Sequence, residues 1–285
     1  MARRVLFVVL IALSVFAGQS MGEAYEVADV TLGGTLRGRV FLKGTPPPAK
    51  IYHLIFSPNI EFCSSISDGK GNRLLREFRA SADGGFQDVV VAVVGVQAGK
   101  PFGFTPKIEI ENCRISPFVT PVRNHHPISI TSNDPVTHDI QAYTMRGEYT
   151  YAMFNKPAPE GTDVLKEVRL RKGHYIFRTQ CGVHDYMQSW GIAVGNPYFS
   201  KTDNEGYFEI TDIPPGTYFV IAWHPRMDIE ARRITIRPGG QVVTTFEFDA
   251  KEVKIPIHDL QTTYRLDTAL QPHHLVPPSV ELQIH

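Results

Sequence analysis

The chain has 285 residues, 42% of them hydrophobic, which is enough for two domains of ordinary size with cores of their own. Lysine plus arginine equals aspartate plus glutamate at 29 each, so the composition carries no basic footprint for a nucleic acid or an anionic membrane surface, and a nucleic-acid partner is disfavoured. Three cysteines leave one over after any single disulfide, which makes the fate of the third a chemical question.

The first residues read as a leader. MARR is a positive start, VLFVVLIALSVFAG is an apolar run shorter than the roughly 20 residues that span a bilayer, and the small residues Ser20 and Gly22 close the segment. Residues 1–22 are therefore expected to be a cleavable signal peptide, which places the mature protein in the periplasm or outside the cell with no stable membrane insertion. An uncleaved anchor is the alternative.

Short alternating runs between Gly, Pro and Asn-Asp turn signals then recur along the chain, and helical periodicity is scarce, so the fold class is all-β. Residues 23–88 hold a strand between Gly33 and Pro48, whose GTPPPAK end must be loop because proline donates no ladder hydrogen bond. A polar excursion follows from Ser64 to Arg79. This N-terminal β segment is expected to pack on the domain after it.

Residues 89–195 form that domain. It opens on the continuous valines of Val89 to Val94, which predict a strand buried on both faces, and its length suits one Greek-key sandwich of roughly 100 residues. Residues 196–250, with KTDNEGYFEITDIPPGTYFVIAWHP, start a new meander and are expected to be a smaller β-sandwich. Residues 251–285 carry His273, His274 and His285 without sustained periodicity and are assigned no fold.

Chemistry concentrates in RTQCGVHDYMQSWGIAV. Cys181, His184 and Met187 put a thiol, an imidazole and a thioether on one loop, each two residues from the next and directly after the strand HYIFRT. Copper cycling between its two oxidation states favours a thiolate with two imidazoles in a trigonal set and a weaker axial methionine. The loop has only one histidine, and His138 in TSNDPVTHDIQAY, after the strand PISIT, is the best source of the second. The bland reading makes Cys181 and Met187 core residues and leaves the two histidines unrelated. Zinc suits the thiolate and imidazoles as well, although methionine offers it little.

The spacing in CGVHDYM and the flanking strands resemble the cupredoxins, with a ligand loop more like that of amicyanin than the longer one of plastocyanin. The resemblance covers about Val89 to Val194. It implies one type 1 copper ion held by His138, Cys181 and His184, with Met187 axial. One departure is Asp139, which stands where cupredoxins usually have an asparagine that braces the ligand loop, and it marks Asp139 as an altered neighbour of the metal. The segment after Asn196 resembles the carboxypeptidase regulatory-like modules of transthyretin type. The combination is similar to exported bacterial proteins often labelled methylamine utilisation proteins.

Cys63 and Cys113 are candidates for a disulfide, which an oxidising compartment favours. A second metal site with His125 and His126, or two buried free thiols, are the alternatives; adjacent histidines in extended chain point to opposite faces, so an exposed turn is the better reading of that pair. His224, after Trp223 at a strand end, is expected to pack or cap a turn.

No nucleophile, base and orienting group stand in a recognisable set, and there is no Gly-rich phosphate loop, CxxCH or HExxH motif. The chain is therefore expected not to be an enzyme. The leading expectation is one-electron transfer with a periplasmic redox protein along an exposed edge of His184. Copper storage or delivery is the second reading, and a structural envelope module with a vestigial site the third.

Overall fold

A computed structural model describes residues 25–146 and 149–254. The leader and most of the C-terminal tail, with His273, His274 and His285, lie outside the described residues. Within them the chain is all-β and builds two sandwiches. No helix among the described residues is long and apolar enough to cross a membrane.

The first sandwich stacks two sheets. One runs Thr162–Glu167, Pro127–Ser132, Lys107–Ile110, Ile115–Ser116; the other runs Tyr149–Ala158, His138–Arg146, Ile176–Cys181, Gln188–Ala193, Val119–Val122. Alternate residues of both point inward, so Ile108, Ile110, Ile128 and Ile130 of one sheet meet Ile140, Ala142, Phe177 and Cys181 of the other in one buried cluster. Gly191 is required by this packing: a Cβ there would lie 2.0 Å from the Phe177 ring directly across the ladder.

The second sandwich corrects the expected domain limits. Its sheets are Phe199–Lys201, Val90–Val94, Gly216–Trp223, Glu230–Ile236 and, facing them, Tyr207–Ile213, Gly34–Lys43, Gln241–Asp249. Gly34–Lys43 thus lies parallel to the last strand, Thr35 opposite Gln241 and Lys43 opposite Asp249, rather than packing on the domain that follows it. The valine strand pairs with Gly216–Trp223 and belongs to this sandwich too. Residues 196–250 alone are not a complete domain, and the sandwich that carries His138 and Cys181 begins at Lys107, not at Val89. The reason is physical: a continuous valine run reports burial on both faces but carries no information about which strands provide it.

Between the two N-terminal contributions to the second sandwich, the chain makes an excursion. Its hairpin Lys50–His53 with Asn72–Leu75 and the short helix Ile60–Cys63 lie against the first sandwich, where Tyr52 and Tyr186 rings meet at 4.9 Å. Only this part of residues 23–88 packs as expected on the ligand-bearing domain.

The sandwiches join through Val90 and Trp223 of one and Val119, Trp190 and Ile192 of the other. Arg226, 1% exposed, sits over the Trp190 ring and pairs with both carboxylate oxygens of Glu77, at 2.5 and 3.2 Å. His224 is fully buried beside Phe86, Phe78 and Phe118; it packs and also caps, its Nδ1 accepting from the Arg226 amide.

Burial pulls the His224 imidazole down from 6.5 to about 3. Because the unfolded chain binds a proton that the folded chain refuses, stability is full above about pH 6.5 and falls as the pH drops toward 3, at about 1.4 kcal/mol per pH unit for this one group. Urea unfolding at pH 7, 6, 5 and 4 is expected to show a slope shallower by that amount in His224→Gln; equal slopes would remove His224 as the source.

Candidate metal centre

The β register explains why the first two donors meet. Cys181 lies opposite Ile140 in the antiparallel pair, and His138, two residues from Ile140, shares its face of the strand. His138 is therefore the diagonal neighbour of Cys181, within reach of a long side chain. The turn after Cys181 brings in His184: the Met187 amide donates to the His184 carbonyl at 2.9 Å and the Cys181 amide to the Met187 carbonyl at 3.1 Å, closing a tight loop.

His138 Nδ1, His184 Nδ1 and Cys181 Sγ consequently face one another. The nitrogens are 3.2 Å apart, and the sulfur is 3.8 Å from His138 and 3.6 Å from His184. A triangle with these sides has a centre about 2.1 Å from every corner, close to the roughly 2.0–2.3 Å at which imidazole nitrogen and thiolate bind a first-row cation. All three residues are at most 1% exposed. Met187, 2% exposed, is buried in the same cluster.

The outer nitrogens fix the protons of the inner ones. His138 Nε2 lies 2.8 Å from Asp134 Oδ2, and His184 Nε2 lies 3.2 Å from the Pro58 carbonyl. A carboxylate and a carbonyl only accept, so both Nε2 atoms carry hydrogen and donate outward. Both Nδ1 lone pairs then point at each other in a buried space. The one thiol proton serves at most one of them, and a bound cation satisfies both together with the sulfur.

Electrostatics agree with that chemistry. Burial pushes both imidazoles below their usual value, with Asp134 opposing the effect at His138, so they are neutral and able to coordinate near pH 7. Burial also pushes the Cys181 thiol up, against hydrogen bonds from the amides of Asp139, Val183 and His184. A metal ion must therefore displace the thiol proton on binding.

Two carboxylate residues adjoin the three donors. Asp139 contacts the loop mainly through its backbone, its amide 3.5 Å from Cys181 Sγ and its carbonyl accepting from Gly182 at 2.7 Å. Its carboxylate accepts from Gln141 at 2.8 Å, and these two side chains occupy the space beside Gly182 that a Cβ would fill. Asp134, unnoticed in the sequence, is the carboxylate that grips a ligand. It is 2% exposed and also accepts the amides of Asn112 and Cys113 at 2.6 and 2.8 Å. The signal for it was its position four residues before His138 in Asn133-Asp134-Pro135. Asp134→Asn is expected to lower metal affinity about tenfold by weakening the charge behind His138, measured by competition with a chromophoric chelator; unchanged affinity contradicts this role.

Cys63 and Cys113 are joined, their Cα atoms 5.5 Å apart, and Cys181 is the free thiol among the described residues. The bridge also bears on the centre: Cys63 Sγ lies 3.7 Å from His184 Nε2. His184 accordingly has no exposed edge, which corrects the expected route for electrons. The excursion, pinned by the disulfide, covers it with Pro58 and Cys63. His125 is exposed in a turn beside Glu167 and takes no part. Tyr186 and Trp190 are buried packing residues rather than parts of an approach surface.

No protein-family model and no curated protein matches the chain. Solved structures to which it is similar include cupredoxins and a copper-containing nitrite reductase, each of these aligned over about a third of the chain. The purple cupredoxin of Nitrosopumilus maritimus is 16% identical over 31% of this chain and 99% of its own, with a TM-score of 0.26. Amicyanin from Paracoccus versutus is 11% identical over 36% and 97%, with a TM-score of 0.27. The copper-containing nitrite reductase of Thermus scotoductus is 13% identical over 36% of this chain, with a TM-score of 0.27, and the match spans 25% of its length.

Proposed function

We propose that this protein binds one copper ion through His138, Cys181 and His184, with Met187 as a weak fourth donor, and carries single electrons to or from a periplasmic redox protein. The observation that supports it most is the pair of outward-donating imidazoles, whose bare nitrogens converge on one buried thiol. Copper supplies a one-electron couple to such a donor set, and no substrate turnover is required.

The protein's own groups do the rest. Asp134 and the Pro58 carbonyl hold the two rings in fixed orientation, the Asp139 amide contacts the sulfur, and the buried surroundings exclude water. Donors held this rigidly change little between oxidation states, which favours electron transfer. Burial also favours this reading over copper delivery, because a site meant to release its ion benefits from an open path to a receiver. The second sandwich is read as a carboxypeptidase regulatory-like module that supports the ligand-bearing one.

The test is a mediated potentiometric titration of the protein loaded with one equivalent of copper. A reversible one-electron wave, with less than a full equivalent of copper lost over repeated cycles, is the expected result. Loss of the ion on each reduction would instead support storage or delivery.

A further inference from the structure

A cleft of about 590 Å³ opens where the excursion, the Cys113–Phe118 segment and the edge of the second sandwich meet. It is separate from the donor triangle, although Met187 forms part of its wall. Three carboxylates line it, and all three are engaged. Glu77 pairs with Arg226 and Lys50, Asp88 with Arg79 and Lys201, and Asp68 accepts the amides of Lys70 and Asn72.

Three arginines of the wall, Arg73, Arg76 and Arg114, have no carboxylate among the described residues. Arg73 comes from the strand Asn72–Leu75 of the excursion, and its Nε is buried with no hydrogen-bond partner among the described residues. Arg114 lies close enough for its charge, added to burial, to depress the Arg73 guanidinium. Two like charges held together, one with a buried donor unmet, is a costly arrangement unless an anion lies between them. Leu74, Leu75, Ile115 and Phe118 give the same cleft an apolar wall.

We infer that this cleft binds a small organic carboxylate, its anionic head between Arg73 and Arg114 and its apolar body against Leu75, Ile115 and Phe118. A guanidinium fork matches a planar carboxylate with two parallel hydrogen bonds, and the volume suits a ligand of modest size. The assignment does not depend on the metal reading, since none of these residues donates to the centre.

Calorimetric titration of the full chain with benzoate, against inorganic phosphate as the anion without an apolar body, tests it. Saturable benzoate binding in the millimolar range or tighter is expected, with phosphate weaker and with a loss of about tenfold or more in Arg73→Met and in Arg114→Met. Arg114 is exposed, so its replacement leaves the fold intact, and Arg73→Met is expected to unfold no earlier than the parent when no anion is present. Absence of saturable benzoate binding, phosphate binding as tight as benzoate, or unchanged benzoate affinity in both variants would overturn the inference.

Discussion

Replacing Cys63 and Cys113 together by alanine is expected to destabilise the protein by about 4 kcal/mol, the chain-entropy value for a loop of this length. The bridge spans 50 residues of sequence. It ties the excursion to the sandwich whose buried cluster Tyr52, Leu54 and Cys63 join. The melting temperature should drop by on the order of 10 °C. Denaturant unfolding of the double variant beside the parent measures this, and a loss below about 1 kcal/mol would mean that the excursion is held by packing alone. The same variant uncovers His184, because Cys63 and Pro58 leave its outer edge together. Metal exchange with a chelator should accordingly quicken, while the equilibrium affinity changes less.

Cys181→Ser is expected to weaken Cu(I) binding by more than the roughly 10–100-fold that loss of an outer-shell partner costs. Serine keeps the shape of the side chain but replaces a soft anionic donor with a hard neutral one, which Cu(I) disfavours. The fold should survive. The new hydroxyl donates to one of the two Nδ1 atoms, as the thiol does in the parent, so the change adds no unmet buried polar group. Competition against a chromophoric Cu(I) chelator reads the affinity, and thermal unfolding of the metal-free variant provides the control. Unchanged affinity would place the copper elsewhere, with the histidine-bearing tail as the first region to examine.

Cys181 and His184 were legible as a pair because they sit on one short stretch, where spacing alone brings Sγ and Nδ1 to 3.6 Å. His138 was legible because it follows a strand and a turn, and β register carries it to Cys181. Asp134 was not, since the Asn112–Cys113 turn reaches it only through the pairing of Pro127–Ser132 with Lys107–Ile110, which the sequence does not specify. The covering of His184 was not legible either. It requires an excursion more than 100 residues upstream to fold back across the loop, and the Pro58 carbonyl that does this is a backbone group with no sequence signature. The all-β class followed from alternation in nearly every strand, whereas the partners of Gly34–Lys43 and Val90–Val94 did not. Alternation and burial constrain which face of a strand is inside, not which sheet the strand enters.

Whether one buried thiolate and two imidazoles hold copper is read from the visible absorption and electron paramagnetic resonance spectrum of the protein titrated with Cu(II). An intense thiolate charge-transfer band that saturates at one equivalent is expected, with a single copper signal of matching stoichiometry. A colourless protein, or copper signals that keep growing beyond one equivalent with no charge-transfer band, would contradict it.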